Sequence, residues 1–495
     1  MTRTSPPMPS RRHIHSGCAP RPRERRSGSL LRSWLRVPTV ALVLLVAAPA
    51  LGAQAAVTDR VWDRPSPDPD RVVLTWAGDP ATTQSVTWRT DTTVTVALAQ
   101  LALATDGPKM AEVARTDTAT TERLDARDVP TPGGTVVHYH AVTFTGLTPD
   151  TLYAYRVGDG TRWSEWFQFR TASASGAKPF SFLYVGDAQN DILSLWSRVV
   201  REGFRRAPDM RFIVHAGDLV NDGNSQWQWG EWFRAGGFIH AMVSSVPAAG
   251  NHEYRARSAA EATARQSSLS VFWGPQFTLP RNGVPGLEES NYWFDYENAR
   301  IVVLNSNRDR ESQAAWLRTV LRDNPKPWTI ATFHHPIFSA ARERDNAALR
   351  NAWKPILEEY GVDLVLQGHD HTYARGRTVA TGPSVTNVPT GVNARSVEGG
   401  PVYVVSVSGG KMYDATPEGW DRFDARIERK AENTQLFQVI RIAGDTLQYE
   451  ARTATGALYD AFDLVRQARG NRFIEKQPAG VPVRTMTSPP AYRRP

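Results

Sequence analysis

Cysteine is nearly missing from this 495-residue chain: the only one is Cys18. Beyond that position there can be no internal disulfide, no thiolate metal site and no cysteine nucleophile. Any metal must be held by imidazole, carboxylate, amide or phenol groups. A surplus of one charge is missing too. The formal net charge is +8, but residues 1–55 hold nine arginines against one glutamate. The remainder is balanced, with 49 basic and 49 acidic residues. That balance removes the global electrostatic case for nucleic acid or anionic lipid as a partner. After residue 51 no run approaches the ~20 apolar residues of a membrane span.

What is present begins with a leader. An Arg-, Pro- and Ser-rich stretch precedes the apolar run Val37 to Leu51, which is short and interrupted by proline. Small residues follow at Ala53 and Ala55. The pattern reads as a signal peptide over 1–55, cleaved near Ala55/Ala56, and so as a secreted or periplasmic protein without a stable membrane span after processing.

The length then leads to an expectation of two or three domains. From 67 to 171 short alternating runs, such as Arg71 to Trp76, Gln84 to Arg89 and Val136 to Phe144, predict an all-β sandwich. Gly146-Leu-Thr-Pro-Asp-Thr-Leu-Tyr153 resembles the tyrosine corner of fibronectin type III-like domains, in which a hydroxyl satisfies backbone at a sheet edge. The small, polar segment Ala172 to Pro179 marks a boundary. Beyond it, from 177 to 465, short apolar strands alternate with amphipathic helices, Asp191 to Arg206 and Gln313 to Leu321 among them. This predicts an α/β core with covered sheets. Residues 466–495 read as a tail. Trp227, Trp229 and Trp232 read as packing, and the charged stretch Arg342 to Arg350 as a solvated helix start.

Five strand exits in the second domain end in metal-binding residue types. They are Gly186-Asp187-Ala-Gln189, Gly217-Asp218-Leu-Val-Asn221, Gly250-Asn251-His252-Glu253, His334-His335-Pro336 and Gly368-His369-Asp370-His371. Carboxyl ends of strands in α/β sheets converge on one crevice, so these groups can meet. Five of the nine histidines beyond the leader lie in these exits. On an extended strand His369 and His371 would share a face.

This set resembles the metallophosphoesterase superfamily, and with the preceding sandwich it resembles the bacterial purple acid phosphatase-like proteins. The resemblance spans about Pro67 to Val465. It implies a four-layer α/β/β/α sandwich preceded by the fibronectin type III-like domain, and two divalent ions, zinc, manganese or iron. Asp218 would bridge them, with Asp187 and His371 on the first and Asn251, His334 and His369 on the second. His252 would be the general acid and Glu253 its orienting partner. Asn251, His335, Tyr373 and Arg375 would contact the phosphate ester. The implied reaction is in-line attack on a phosphate monoester by a hydroxide generated at the metal pair. A phosphodiesterase using the same pair, or a binding protein with an impaired site, are the rival readings.

The pattern departs from the family at one place. Purple acid phosphatases carry a tyrosine three residues after the bridging aspartate, where this chain has Asn221; many other members carry a histidine where it has Gln189. Asn221 or Gln189 could coordinate weakly through an amide oxygen. Without the phenolate, the chromophore that colours those enzymes is not expected.

Overall fold

The computed structural model describes residues 61–132, 134–378, 400–416, 419–467 and 470–487. The leader, its cleavage position and Cys18 lie outside the described residues. From Arg60 onward the chain forms one unit. No helix among the described residues is long and apolar enough to cross a membrane.

The first sandwich pairs two four-stranded antiparallel sheets. One runs in the order Asp70–Thr75, Gln84–Thr90, Val136–Phe144, Thr120–Asp125, and the other Arg115–Thr118, Leu98–Leu103, Leu152–Gly158, Phe167–Arg170. Trp88, Leu101, Phe144, Tyr155 and Phe169 fill the space between them. The Tyr153 hydroxyl accepts the Thr148 N–H at 2.9 Å, as the corner motif leads one to expect. The segment Ala172 to Pro179 is docked: the Glu297 carboxylate accepts N–H bonds from Ser173 and Lys178. Further bonds join the sandwich to the α/β part, including Gln84 to Ser244 Oγ at 3.0 Å and Tyr155 to the Ala241 carbonyl at 2.7 Å.

The second part is built on two seven-stranded mixed sheets. The first runs Ser244–Pro247, Phe212–His215, Phe180–Val185, Leu436–Ala443, Thr446–Thr453, Leu458–Gln467, Gly470–Glu475. The second runs Tyr292–Tyr296, Ala299–Val303, Trp328–Thr332, Leu364–Gln367, Val402–Val405, Tyr373–Thr378, Ala425–Ala431. The period-2 side-chain alternation of a strand explains the layering. Ile301, Val303, Ile330, Leu364, Leu366, Val402 and Val404 join the core shared with the first sheet. Their neighbours Val302, Ala331, Val365, Tyr403 and Val405 turn the other way, onto the helices Arg310–Arg322 and Ala347–Glu359. Helices Ser197–Arg206 and Gln226–Gly236 cover the outer face of the first sheet, with Trp229 and Trp232 fully buried there. The result is the expected α/β/β/α order.

Two expectations need correction. The helix expected from Asp191 begins as a wider turn over Ile192–Trp196, and regular α-helix starts only at Ser197. The supposed tail instead supplies the edge strand Gly470–Glu475, antiparallel to Leu458–Gln467. An edge strand buries one face only, so its apolar periodicity is too weak to read.

Candidate metal centre

All five strand exits converge, and the backbone there is strained. Asp187, Asp218, His369 and His371 have φ of 47°, 50°, 75° and 52°, left-handed values that cost non-glycine residues roughly 1–2 kcal/mol each. Tight loop crossings enforce them. A Cβ on Gly250 would lie 2.2 Å from Asp218 Oδ1, and one on Gly409 would lie 2.3 Å from the Asp187 carbonyl oxygen, so only glycine fits at either position.

Two clusters of ligand atoms result, each with its atoms within 4.8 Å of one another. Asp187, Asp218 and His371 form one, and Asp218, His334 and His369 the other. Asp218 belongs to both. Asn251 Oδ1 joins the second, 3.1 Å from His334 Nε2. Backbone carbonyls aim the rings: His334 Nδ1 lies 2.9 Å from the Ala216 carbonyl and His371 Nδ1 3.0 Å from that of Lys411. Each ring's Nε2 is thereby left for the cluster.

His369 and His371 do not share a face. They lie in the loop between Leu364–Gln367 and Tyr373–Thr378, and their positive φ turns them into different clusters. The strand alternation invoked for them does not apply there.

The charges match a cation-binding role. Burial, with Asp218 beside it, pushes the Asp187 carboxyl well above the usual range. Burial also opposes ionisation of Asp218, but His334 and His252 outweigh it and hold that carboxyl well below the usual range. Burial pushes His371 down to about 3, so it offers a neutral ring. His334 is the exception: burial lowers it, but Asp218 and Asp187 carry it up to about 9. In the metal-free chain a proton therefore occupies a ligand position. Metal loading is expected to release that proton, and affinity to weaken as pH falls below about 9, because the proton competes for Nε2. Calorimetric zinc titrations in buffers of different ionisation enthalpy read the release. Uptake with no proton released between pH 6 and 8 would contradict it.

Gln189 also points to a ligand. Fully buried, it places Nε2 2.8 Å from Asp218 Oδ2 and 3.0 Å from His371 Nε2, while its Oε1 has no partner. A half-turn of the amide would bring that oxygen to the first cluster. Paired carboxylates, neutral imidazoles and an orphaned amide oxygen fit two divalent cations. Asn221, the alternative amide, meets the site through its backbone carbonyl, which accepts from Arg255 and lies 2.6 Å from His252 Nδ1.

Other expected residues are placed as follows. His252 Nε2 lies 3.9 Å from Asp218 Oδ2 at the partly open rim. The His335 ring packs 4.3 Å from that of His369, with Nδ1 2.9 Å from Ser306 Oγ. Glu253 does not orient the His252 ring. Its buried carboxylate accepts the N–H groups of Asp218, Leu219, Val220 and Gly250, pinning two exits together. Tyr373 and Arg375 do not face the clusters either. Both point between the sheets, where each binds Asp460.

Sequence reasoning missed Ser306, Arg255, Arg344, Lys411 and Tyr413. The signal for the last two was available, because Ser406-Val-Ser-Gly-Gly410 follows the parallel strand Val402–Val405 and is a sixth exit of the same kind. Arg344 anchors the histidine loop, donating to the His369 carbonyl at 2.8 Å.

Comparison with known proteins agrees with this geometry. Residues 69–171 match the purple acid phosphatase N-terminal domain, and residues 180–373 match the calcineurin-like phosphoesterases. Purple acid phosphatase 15 of Arabidopsis thaliana is 26% identical over 276 residues, 48% of this chain and 50% of that protein. An uncharacterized Mycobacterium tuberculosis protein is 28% identical over 357 residues, 65% of either chain. Acid phosphatase type 7 of Danio rerio is 27% identical over 271 residues, 48% of this chain and 58% of that one. The chain thus spans half to about two thirds of the length of these curated relatives. Among solved structures, purple acid phosphatase PPD1 from yellow lupin seeds aligns with TM-score 0.64 and 18% identity, over 81% of this chain and 75% of that one. PhoD aligns with TM-score 0.60 and 13% identity, over 85% and 94%. The chain thus carries a calcineurin-like phosphoesterase domain preceded by a purple acid phosphatase N-terminal domain.

Proposed function

We propose that this protein is a secreted hydrolase of phosphate monoesters, with one divalent cation held by Asp187, Asp218 and His371 and a second by Asp218, His334, His369 and Asn251. The observation that carries the reading is the sharing of Asp218 between two clusters of ligand atoms. Cations there would supply charge neutralisation for the ester and make a water nucleophilic near neutral pH.

The chain's own groups do the rest. Gln189 completes the first cluster through its amide oxygen. His335, beside His369, and Asn251 orient the phosphoryl oxygens. His252 is the proton donor. With Nδ1 against the Asn221 carbonyl and Nε2 toward the clusters, its imidazolium can hand a proton to the departing alkoxide. Burial, Arg255 and Lys411 make it more acidic than an ordinary histidine, and Asp218 and the Asn221 carbonyl oppose them. The basic, apolar-cored leader supports export.

The His252→Ala variant is expected to keep its metal and lose about 10²–10³-fold in kcat on an alkyl phosphate, and less on an aryl phosphate whose leaving group needs no proton. Unchanged turnover of the alkyl ester would remove His252 from this role. A simple aryl phosphate is expected to outrun its bis-aryl diester, and the reverse order would assign a phosphodiesterase.

A further inference from the structure

His252 stands at a partly open rim, with 19% of its side chain exposed. A proton donor in that position has to be aimed, because a ring that swings away leaves the departing oxygen out of reach. The Arg255 guanidinium closes around the base of this ring. Its Nη2 donates to the Asn221 carbonyl at 2.9 Å, the same carbonyl that lies 2.6 Å from His252 Nδ1. Nη2 is also 2.8 Å from Nδ1 itself. Nη1 donates to the Asn251 and Tyr254 carbonyls, at 3.2 and 3.0 Å, and these two residues flank His252 and Glu253 in the chain. A planar fork of five donors can hold three carbonyls at once, which an ammonium on a flexible stem cannot. With the Asn221 carbonyl fixed, Nδ1–H has one direction in which to donate, and Nε2 is left facing the clusters.

The sandwich domain reaches this group. After its strand Thr120–Asp125 the chain turns inward, and Ala126 and Val129 are buried in the core shared with the α/β part. Thr131, two residues on from Val129, donates through Oγ1 to Asp222 Oδ2 at 3.0 Å. Asp222 is held from its own side as well: its N–H donates to Gln228 Oε1 at 2.8 Å, and its Oδ1 accepts the Asn224 N–H at 3.0 Å. The same Oδ1 lies 3.9 Å from Arg255 Nε. One carboxylate and one guanidinium therefore separate a threonine of the first domain from the His252 ring. An ion pair this long and partly exposed is weak, so Thr131 should matter less than Arg255.

An arginine that only braced the turn would affect metal content and every substrate alike. One that aims the ring would affect the proton transfer alone, in which the proton leaves Nε2 as the bond from phosphorus to the departing oxygen breaks. We propose that Arg255 is a positioning residue for His252, and that the sandwich domain serves turnover by holding Arg255 through Thr131 and Asp222. This rests on the hydrolase reading with His252 as its proton donor, and extends it to the groups that make the donor effective.

The test uses the metal-loaded protein as wild type, Arg255→Ala, Arg255→Lys, Thr131→Val, His252→Ala and the double variant His252→Ala/Arg255→Ala. It measures metal content, and kcat and KM on an alkyl phosphate and on nitrophenyl phosphate. Arg255→Ala should keep two metals and both KM values. It should lose about 10–30-fold in kcat on the alkyl ester, and no more than about threefold on the nitrophenyl ester, whose leaving group needs no proton. Arg255→Lys should recover part of the loss, and Thr131→Val should show the same split at about two- to threefold. In the His252→Ala background Arg255→Ala should cost nothing further, because no ring is left to aim. Equal losses on the two esters, a further loss in the double variant, a raised KM, or a metal lost from both Arg255 variants would overturn the proposal while leaving the hydrolase standing. A metal-loaded wild type that turned over no ester would overturn both.

Discussion

Replacing Asp218 by alanine is expected to strip both metals from the chain at once and to lower phosphatase turnover by at least about 10⁴-fold. The double loss follows from position: the Asp218 carboxylate is the one ligand common to the two clusters. Its Oδ2 lies 3.2 Å from His334 Nε2 and 2.8 Å from Gln189 Nε2, and its Oδ1 accepts the His252 N–H at 2.9 Å. His371→Ala, by contrast, removes a donor from the first cluster alone, so one metal should remain. Elemental analysis of the two variants beside the wild type separates these patterns. The metal-free Asp218→Ala chain should melt somewhat below the metal-free wild type: the substitution relieves repulsion with Asp187 and Glu253, but it leaves buried His334 without the carboxylate 3.2 Å away and the His252 N–H and Gln189 amide without their acceptor. One metal retained per chain in Asp218→Ala would sink the bridging role.

The sequence made the ligands legible because they follow short apolar strands, and strand ends of an open sheet must converge. The assignment of His334 rather than His335 to the cluster came from the resemblance alone, in which the ligand stands two residues before the proline. What could not be read were the directions of side chains in loops. Gln189 and Asn221 looked equivalent as amide donors, yet one reaches Asp218 and His371 while the other turns its carbonyl to His252. The resemblance made Glu253 a partner of His252, but a tight turn at Asn251–Glu253 sends its carboxylate inward to four backbone donors. Local spacing reports which residues are near, and only the backbone path reports which way they point.

The clearest case is Arg375, and replacing it should destabilise the fold rather than weaken substrate binding. Tyr373 and Arg375 stand two apart on Tyr373–Thr378, so both face the first sheet. There the guanidinium donates to both Asp460 oxygens, at 3.0 and 2.9 Å, and to Glu428 and Glu475. Asp460 lies on Leu458–Gln467 and is fully buried. The pair therefore clamps one sheet to the other. Taking two charges out of water is costly, and removing one partner leaves the second buried without compensation, which typically costs about 3–5 kcal/mol. Arg375→Met is expected to lose about that much in denaturant unfolding, while the folded fraction keeps its KM for aryl phosphate. The double variant Arg375→Met/Asp460→Leu should recover much of the loss, because it abolishes the stranded carboxylate instead of exposing its need for a cation. A raised KM at an unchanged unfolding midpoint would return Arg375 to the substrate. A double variant no more stable than the single one would mean that Glu428 and Glu475, not Asp460, dominate the energetics of this clamp.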